Sequence, residues 1–210
     1  MGEKLSEITT EAELRALLGE PQPSAVGKER VTLQDTHRAW LAAATFCLVG
    51  TSDAAGNCDV SPKGDPPGFA LVLDERTLAI PERPGNRRAD GFLNILANPH
   101  VGLLFLVPGR SDTLRVNGRA RLVSDAPFFD RMVVRGHRPA LAMIVDIEQI
   151  FFHCPKAFLR GRLWRSEEWA EREAPTSAEI AKAIHRQDQS MAELEEYYGP
   201  AYAERIYDPS

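Results

Sequence analysis

Asp59-Val60-Ser61-Pro62-Lys63-Gly64-Asp65 is followed, after a short pair of apolar runs, by Ile80-Pro81-Glu82-Arg83-Pro84-Gly85-Asn86-Arg87-Arg88. Both segments are polar, punctuated by Pro and Gly, and carry cations near their ends, whereas the residues around them are apolar and β-prone. Two readings are open at this point. Cations gathered at two turns suit a bound anion such as a phosphate, because hydrogen bonds from Lys and Arg to an anion are stronger than neutral ones. Ordinary hairpin turns with solvated Lys and Arg give the same local composition.

Working outward, Phe46 to Ser52 is a compact apolar run that enters Asp53-Ala54-Ala55-Gly56, a hairpin connection, and returns through Asn57 to Pro62. Phe69 to Leu73 and Thr77 to Ile80 form the next pair around Asp74-Glu75-Arg76. These connections are too short for parallel crossovers, so the strands form an antiparallel meander. Val101 to Val107, Thr113 to Val123 and Leu141 to His153 supply the later strands. Arg115, Asn117, Arg119 and Arg121 alternate with apolar residues and share one face by the period of two. Six or seven closely spaced antiparallel strands favour a closed or nearly closed barrel, mainly β with flanking helices.

Helices are expected around this barrel. Thr10-x-x-Glu13 has capping-box spacing before a helix over 10–18, and Asp35 is positioned to cap a second that ends near Thr45. Ala89 to Ala97 fits one or two turns stopped by Asn98-Pro99. Asp125 to Asp130, Pro155 to Leu159 and Trp164 to Trp169 each read as a short turn. Thr176 begins a longer helix to about Tyr198, with Ile180, Ile184, Met191 and Leu194 as its apolar stripe. The chain divides accordingly into an N-terminal helical extension (1–34), a barrel domain (35–165) and a C-terminal helical extension (166–210) that packs on the barrel or on a dimer.

Bulk properties narrow the function. The formal net charge of −5 over 210 residues argues against a nucleic-acid binder, whose phosphate contacts need a basic surface. Charge is unevenly spread, with seven Arg against three acids between Glu82 and Arg121, and nine acids against four bases from Glu171 to Ser210. A local cationic stretch in an acidic chain suits a small anion better than a polyanion. No apolar run approaches the roughly 20 residues that cross a bilayer. Cys47, Cys58 and Cys154 are odd in number with no Cys-x-x-Cys, and the N-terminus lacks a secretory pattern. Both point to reduced thiols in a cytoplasmic protein. The five histidines show no metal spacing, and His153-Cys154 is a lone adjacent pair, so no metal site is expected. Gly-x-Gly-x-x-Gly, the Walker lysine loop and the Gly-x-Ser-x-Gly elbow are all missing.

Four stretches in order, Asp59 to Asp65, Ile80 to Arg88, Asn94 to Phe105 and Leu114 to Ala120, resemble the pyridoxamine 5′-phosphate oxidase-related FMN-binding split barrels, with the likeness running from about Trp40 to Trp164. The resemblance implies a six-stranded antiparallel split β-barrel, FMN as cofactor, a homodimer with the flavin between subunits, and a small-molecule redox substrate. It also implies that Val60, Ser61 and Pro62 follow the ring edge while Ile80, Pro81 and Arg83 line its other side. Lys63, Asn86 and Arg87 become candidates for the ribityl and phosphate groups. Arg115, Cys154, Lys156, Phe158 and Arg160 become candidates contributed by the partner subunit. Arg119 and Arg121 read better as a solvated strand face, and Trp164 and Trp169 as packing residues. Vitamin-B6 oxidases of this family end in an Arg-rich segment that holds the substrate phosphate, whereas this chain ends in an acidic region with Tyr198-Gly199-Pro200-Ala201-Tyr202. The expected activity is therefore an FMN-dependent oxidoreductase of unassigned substrate with no catalytic side chain named. A non-catalytic flavin carrier or sensor, and a split barrel holding haem or a deazaflavin, are the alternatives.

Overall fold

A computed structural model describes residues 5–169 and 174–208, so the first residues of the chain, read above for targeting signals, lie outside the described part. Among the described residues seven antiparallel strands form one sheet: β1 (Phe46–Ser52), β2 (Cys58–Gly64), β3 (Leu71–Val72), β4 (Thr77–Pro81), β5 (His100–Leu106), β6 (Thr113–Val123) and β7 (Ala142–His153). Their order is β2-β1-β5-β6-β7-β4-β3. The count is seven, within the six or seven read from the residues, where the family resemblance implied six; the strand expected over Phe69 to Leu73 is reduced to Leu71 and Val72, paired with Ala79 and Leu78. The sheet curls around one apolar core but does not close by hydrogen bonds, since β2 and β3 remain its two edges. Pro62 is tolerated because β2 is an edge, where a missing N–H leaves no ladder bond unmade on the open side.

The core follows the strand alternation. Cys47 and Val49, Leu78 and Ile80, Val101, Leu103 and Phe105, Leu114 and Val116 all point inward. On β7 the inward residues are Met143, Val145 and Ile147, then Ile150. This change of parity is made by a bulge: Asn117 pairs with Gln149 while Gly118 pairs with Ile147, leaving Glu148 as the extra residue. Residues before the first strand complete the barrel wall at this point, where the Arg30 N–H donates to the Ile150 carbonyl at 3.0 Å and the Ile150 N–H donates back at 2.8 Å. Burial drives the Cys47 thiol up to about 12, so it packs as a small apolar group.

Helix α1 (Glu11–Leu18) carries the expected Thr10 capping box, and a short α2 (Pro23–Val26) follows it. Helix α3 (Asp35–Ala43) starts one residue earlier than the Asp35 cap implied, because Gln34 is its cap and the His37 ring accepts the Gln34 N–H at 3.1 Å. His37 is buried against Phe152, and burial, then the nearby Arg30 charge, hold its pKa below the ordinary 6.5. Protonation would remove the acceptor and place a charge beside Arg30. As pH falls through 6.5 the unfolded chain takes up the proton first, so this stability is complete above that value and is lost below it. The melting temperature should fall between about pH 7 and pH 5.5. His37→Gln, followed by circular dichroism across that range, should flatten the slope.

Helix α4 (Asp90–Ala97) links β4 to β5 and carries the chain from one side of the sheet to the other, packing on β1, β2 and β6. A 3₁₀ turn (Pro127–Met132) brings Phe129 and Met132 over Ala79, Ala142 and Ile144 on the outer face of β4 and β7. Helix α5 (Lys156–Arg160) follows β7 as expected. The single long helix expected from Thr176 to about Tyr198 is instead two, α6 (Ser177–Ile184) and α7 (Met191–Tyr197), and a short α8 (Pro200–Glu204) follows them. Ser190 and Glu193 form a capping box of their own, and Lys182 donates to the carbonyls of Gln187 and Gln189, which fixes the break. The buried residues of this unit are Ala178, Ala181 and Leu194, whereas Ile184, counted on the expected stripe, is 71% exposed. Among the described residues no helix is long and apolar enough to cross a membrane.

Candidate functional site

The seam of the barrel lies where the end of β2 meets the end of β4, and ion pairs rather than backbone bonds join the two. Lys63 pairs with Glu82, and Arg83 Nε donates to Asp65 Oδ2 at 2.6 Å. Beside these pairs opens a cleft of about 560 Å³. Val60, Ser61, Pro62 and Lys63 form one wall, residues 81–86 with Arg88 the other, and the start of α4 closes one end. Pro62, Phe69, Pro81, Phe92 and Ile95 give it apolar surface. The Lys63 ammonium stands 4.7 Å from the centre of the Phe92 ring, an added attraction for a partly desolvated cation.

The other end is closed by residues far away in sequence. Ile206 and Tyr207 line the cleft, and the buried Tyr207 hydroxyl donates to Asp65 Oδ1. The Asp65 side chain is only 1% exposed and is held from both sides, by Arg83 and by Tyr207. Arg83 also donates to the Met132 carbonyl at 2.6 Å and to the His137 carbonyl at 3.3 Å. The Tyr207 ring stacks on His137 at 6.1 Å, with the Arg135 guanidinium 5.4 Å from its centre. Burial, then the hydrogen bond and charge of Asp65, push the Tyr207 phenol above its ordinary value, against the pull of Arg83 and Arg135. It stays protonated and donating at neutral pH.

At the α4 end the chain makes a tight turn in which Arg87 (φ 59°) and Ala89 (φ 58°) both sit in the left-handed region. Non-glycine residues held there cost free energy, and such positions cluster at ligand clamps. Asn86 Oδ1 accepts the Arg88 N–H at 3.1 Å, and Arg88 Nε donates to Asp90 at 2.7 Å in a solvent-exposed pair. The start of the helix lies against β1 and β2: a Cβ on Gly91 would stand at ordinary contact distance, 3.4 Å from Thr51 Oγ1 and 3.6 Å from Ser61 Oγ. The buried Asn94 amide donates to Thr51 Oγ1 at 3.1 Å and to Asp59 Oδ2 at 2.7 Å, which orients the Asp59 carboxylate on the cleft wall.

The family model described as pyridoxamine 5′-phosphate oxidase matches residues 33–154, more than half of the chain. The chain belongs to the pyridoxamine 5′-phosphate oxidase family. No curated protein matches the sequence. Among solved structures, HupZ from Group A Streptococcus is 18% identical with a TM-score of 0.46, covering 57% of this chain and 93% of its own. The haem storage protein HutZ from Vibrio cholerae is 16% identical with a TM-score of 0.41, over 57% and 93% of the two chains. General Stress Protein 26 from Bacillus anthracis is 16% identical with a TM-score of 0.37, over 54% and 88%.

In this family member, the residues expected from sequence at the cofactor fall into three groups. Val60, Ser61, Pro62, Lys63, Pro81, Arg83 and Asn86 line the cleft together. Ile80 is buried in the barrel core, and Arg87 is exposed beside the cleft while its neighbour Arg88 stands on the wall. Arg115, Cys154, Lys156, Phe158 and Arg160 lie apart from it: Arg115 on β6, the others after β7, where Phe158 rests 6.0 Å from the Trp164 ring. Trp164 Nε1 donates to the Arg110 carbonyl at 2.7 Å, a packing role, and Arg121 pairs with Asp146 on an exposed strand face. Sequence reasoning missed Asp59, Asp65, Phe92, Ile206 and Tyr207 as lining residues. Only Asp59 and Asp65, at the ends of the opening motif, carried a local signal. The lining holds the carboxylates of Asp59, Asp65, Glu82 and Asp90 beside Lys63, Arg83 and Arg88, so the cations are largely matched by acids.

Proposed function

We propose that the protein binds FMN in this cleft and acts as an oxidoreductase on a small-molecule substrate, working as a homodimer whose second copy completes the cofactor site. The observation that carries the reading is the cleft itself, whose apolar walls flank polar edge groups and whose α4 end is a strained, cation-bearing turn. Its volume falls in the range of small-molecule sites. The donor set fits the cofactor. Ser61 and the β2 backbone suit the polar edge of the ring, Pro62, Pro81 and Phe92 its faces, and Asn86 and Arg88 its phosphate. The Arg88–Asp90 pair is exposed, hence weak, and can be exchanged for a phosphate contact, whereas the buried Arg83–Asp65 pair is structural. Bound FMN would supply hydride and electron transfer at its ring, with the protein supplying position and electrostatics. Exposed Val60 on β2 and Leu93 and Leu96 on α4 support a partner surface next to the cleft. In that assembly Arg115, Cys154, Lys156, Phe158 and Arg160 are assigned to the site of the other copy, and the helical extensions flank the 35–165 barrel.

Purified protein reconstituted with FMN should show a bound flavin absorbance spectrum. Arg88→Ala should weaken FMN binding by roughly ten-fold or more, the loss of one charge-assisted contact, while Arg121→Ala leaves it unchanged. Failure to take up FMN, or a haem or deazaflavin spectrum in its place, overturns the reading. Equal affinity in the two variants would move the phosphate elsewhere. Turnover with a reduced nicotinamide and an electron acceptor separates an oxidoreductase from a flavin carrier.

A further inference from the structure

We propose that Lys28, Arg115 and His153, away from this chain's own cleft, form a binding site for a small oxyanion of the phosphate or carboxylate type; where that anion is a cofactor phosphate, the site rests on the dimer reading above. The three groups surround one aromatic ring, Phe151, which is nearly buried on β7. Arg115 Cζ lies 4.3 Å from its centre, the His153 ring 5.0 Å, and Lys28 Nζ 5.2 Å. Arg115 and Phe151 are paired across β6 and β7, and His153 follows two residues along the same face. Lys28 arrives from the segment that pairs with Ile150 through Arg30. Three separate parts of the chain therefore bring cationic or protonatable groups to one spot.

Among the described residues neither Lys28 nor Arg115 forms an ion pair, although both are partly buried. Every cation on the cleft wall, by contrast, has a carboxylate partner. Arg115 has a neutral partner, Gln149 Oε1, which accepts from its Nη2 at 3.1 Å and from Asn117 at 2.8 Å. Its Nε is the one buried side-chain nitrogen or oxygen among the described residues without a hydrogen-bond partner. A buried donor left without a partner is costly, so this guanidinium is held with part of its hydrogen-bonding capacity unused. Burial, then the charges of Arg115 and Lys28, hold His153 below its ordinary 6.5. Like charges assembled around an apolar ring cost free energy, and an oxyanion placed among them reverses that cost.

The anion has two possible sources, the phosphate of a cofactor carried by a second copy or a free anionic small molecule. Inorganic phosphate is the first probe. It should raise the pKa of His153, read from its ring resonances by NMR. Lys28→Met and Arg115→Met should each raise the phosphate dissociation constant about ten-fold or more. Lys28 lies outside the barrel strands, so its variant stays informative if the Arg115 variant folds poorly. A His153 titration unmoved by phosphate, or a full response in the Lys28 variant, overturns the site. If FMN moves His153 and riboflavin does not, the cofactor phosphate is the source. A response to phosphate that persists with FMN already bound identifies a free anion. Flavin uptake is read separately by absorbance, so a protein that takes up no flavin refutes the cofactor reading and leaves the phosphate result to stand or fall alone.

Discussion

Asp65→Ala is expected to destabilise the fold by about 3–5 kcal/mol, the usual cost of removing one partner from a buried ion pair. The carboxylate is almost fully enclosed and serves both Arg83 and Tyr207. Without it the Arg83 guanidinium, itself largely buried, keeps only the Met132 and His137 carbonyls, and the Tyr207 hydroxyl loses its acceptor. Tyr207→Phe removes one hydrogen bond and preserves the ring stacked on His137, so it should cost only about 1 kcal/mol. Urea denaturation of the two variants against the parent measures both. An Asp65→Ala midpoint near that of Tyr207→Phe would mean that the seam is held by something other than this carboxylate.

That network also marks where sequence reading stops. Alternating apolar residues and short turns carried the antiparallel meander, because hairpin neighbours are close in sequence and their inward faces repeat every second residue. The opening motif carried much of the cleft for the same reason: β2 and the turn after β4 each act as a continuous segment. What the motif could not carry was its electrostatics. Lys63 and Arg83 read as cations free for a ligand, but Glu82 and Asp65 claim them, and each pairing crosses the seam between β2 and β4. Tyr207 lies 142 residues from Asp65 and no local pattern points to it. Continuous helix formers between Thr176 and Tyr198 hid a break that depends on a capping box at Ser190 and on Lys182 reaching two carbonyls. Local propensity sees one helix there, and the side-chain bonds decide for two.

Gly118→Ala should have an effect comparable to losing Asp65, although glycine in the middle of a strand looks expendable. An added Cβ would stand 2.1 Å from the Asp146 carbonyl oxygen and 3.0 Å from its carbon, with Ile147 Cα at 3.3 Å. These are backbone atoms of the paired strand, so no side chain can swing aside to make room. The contact falls at the bulge, where Gly118 faces Ile147 and Glu148 is the extra residue. The bulge is what allows β7 to place Met143, Val145 and Ile147 in the core on one side and Ile150 on the other. Relieving the clash by parting the strands would lose ladder bonds beside Asn117 and Arg115. Relieving it by a register slip would turn one half of β7 inside out. Either route costs about 3 kcal/mol, the upper end of ordinary overpacking, and should lower the melting temperature accordingly. Gly102→Ala on the neighbouring strand is the control. Its Cβ would meet only the Asn117 side-chain oxygen at 3.5 Å, an ordinary contact. Similar melting temperatures for the two variants would show that β6 and β7 do not meet at this close approach.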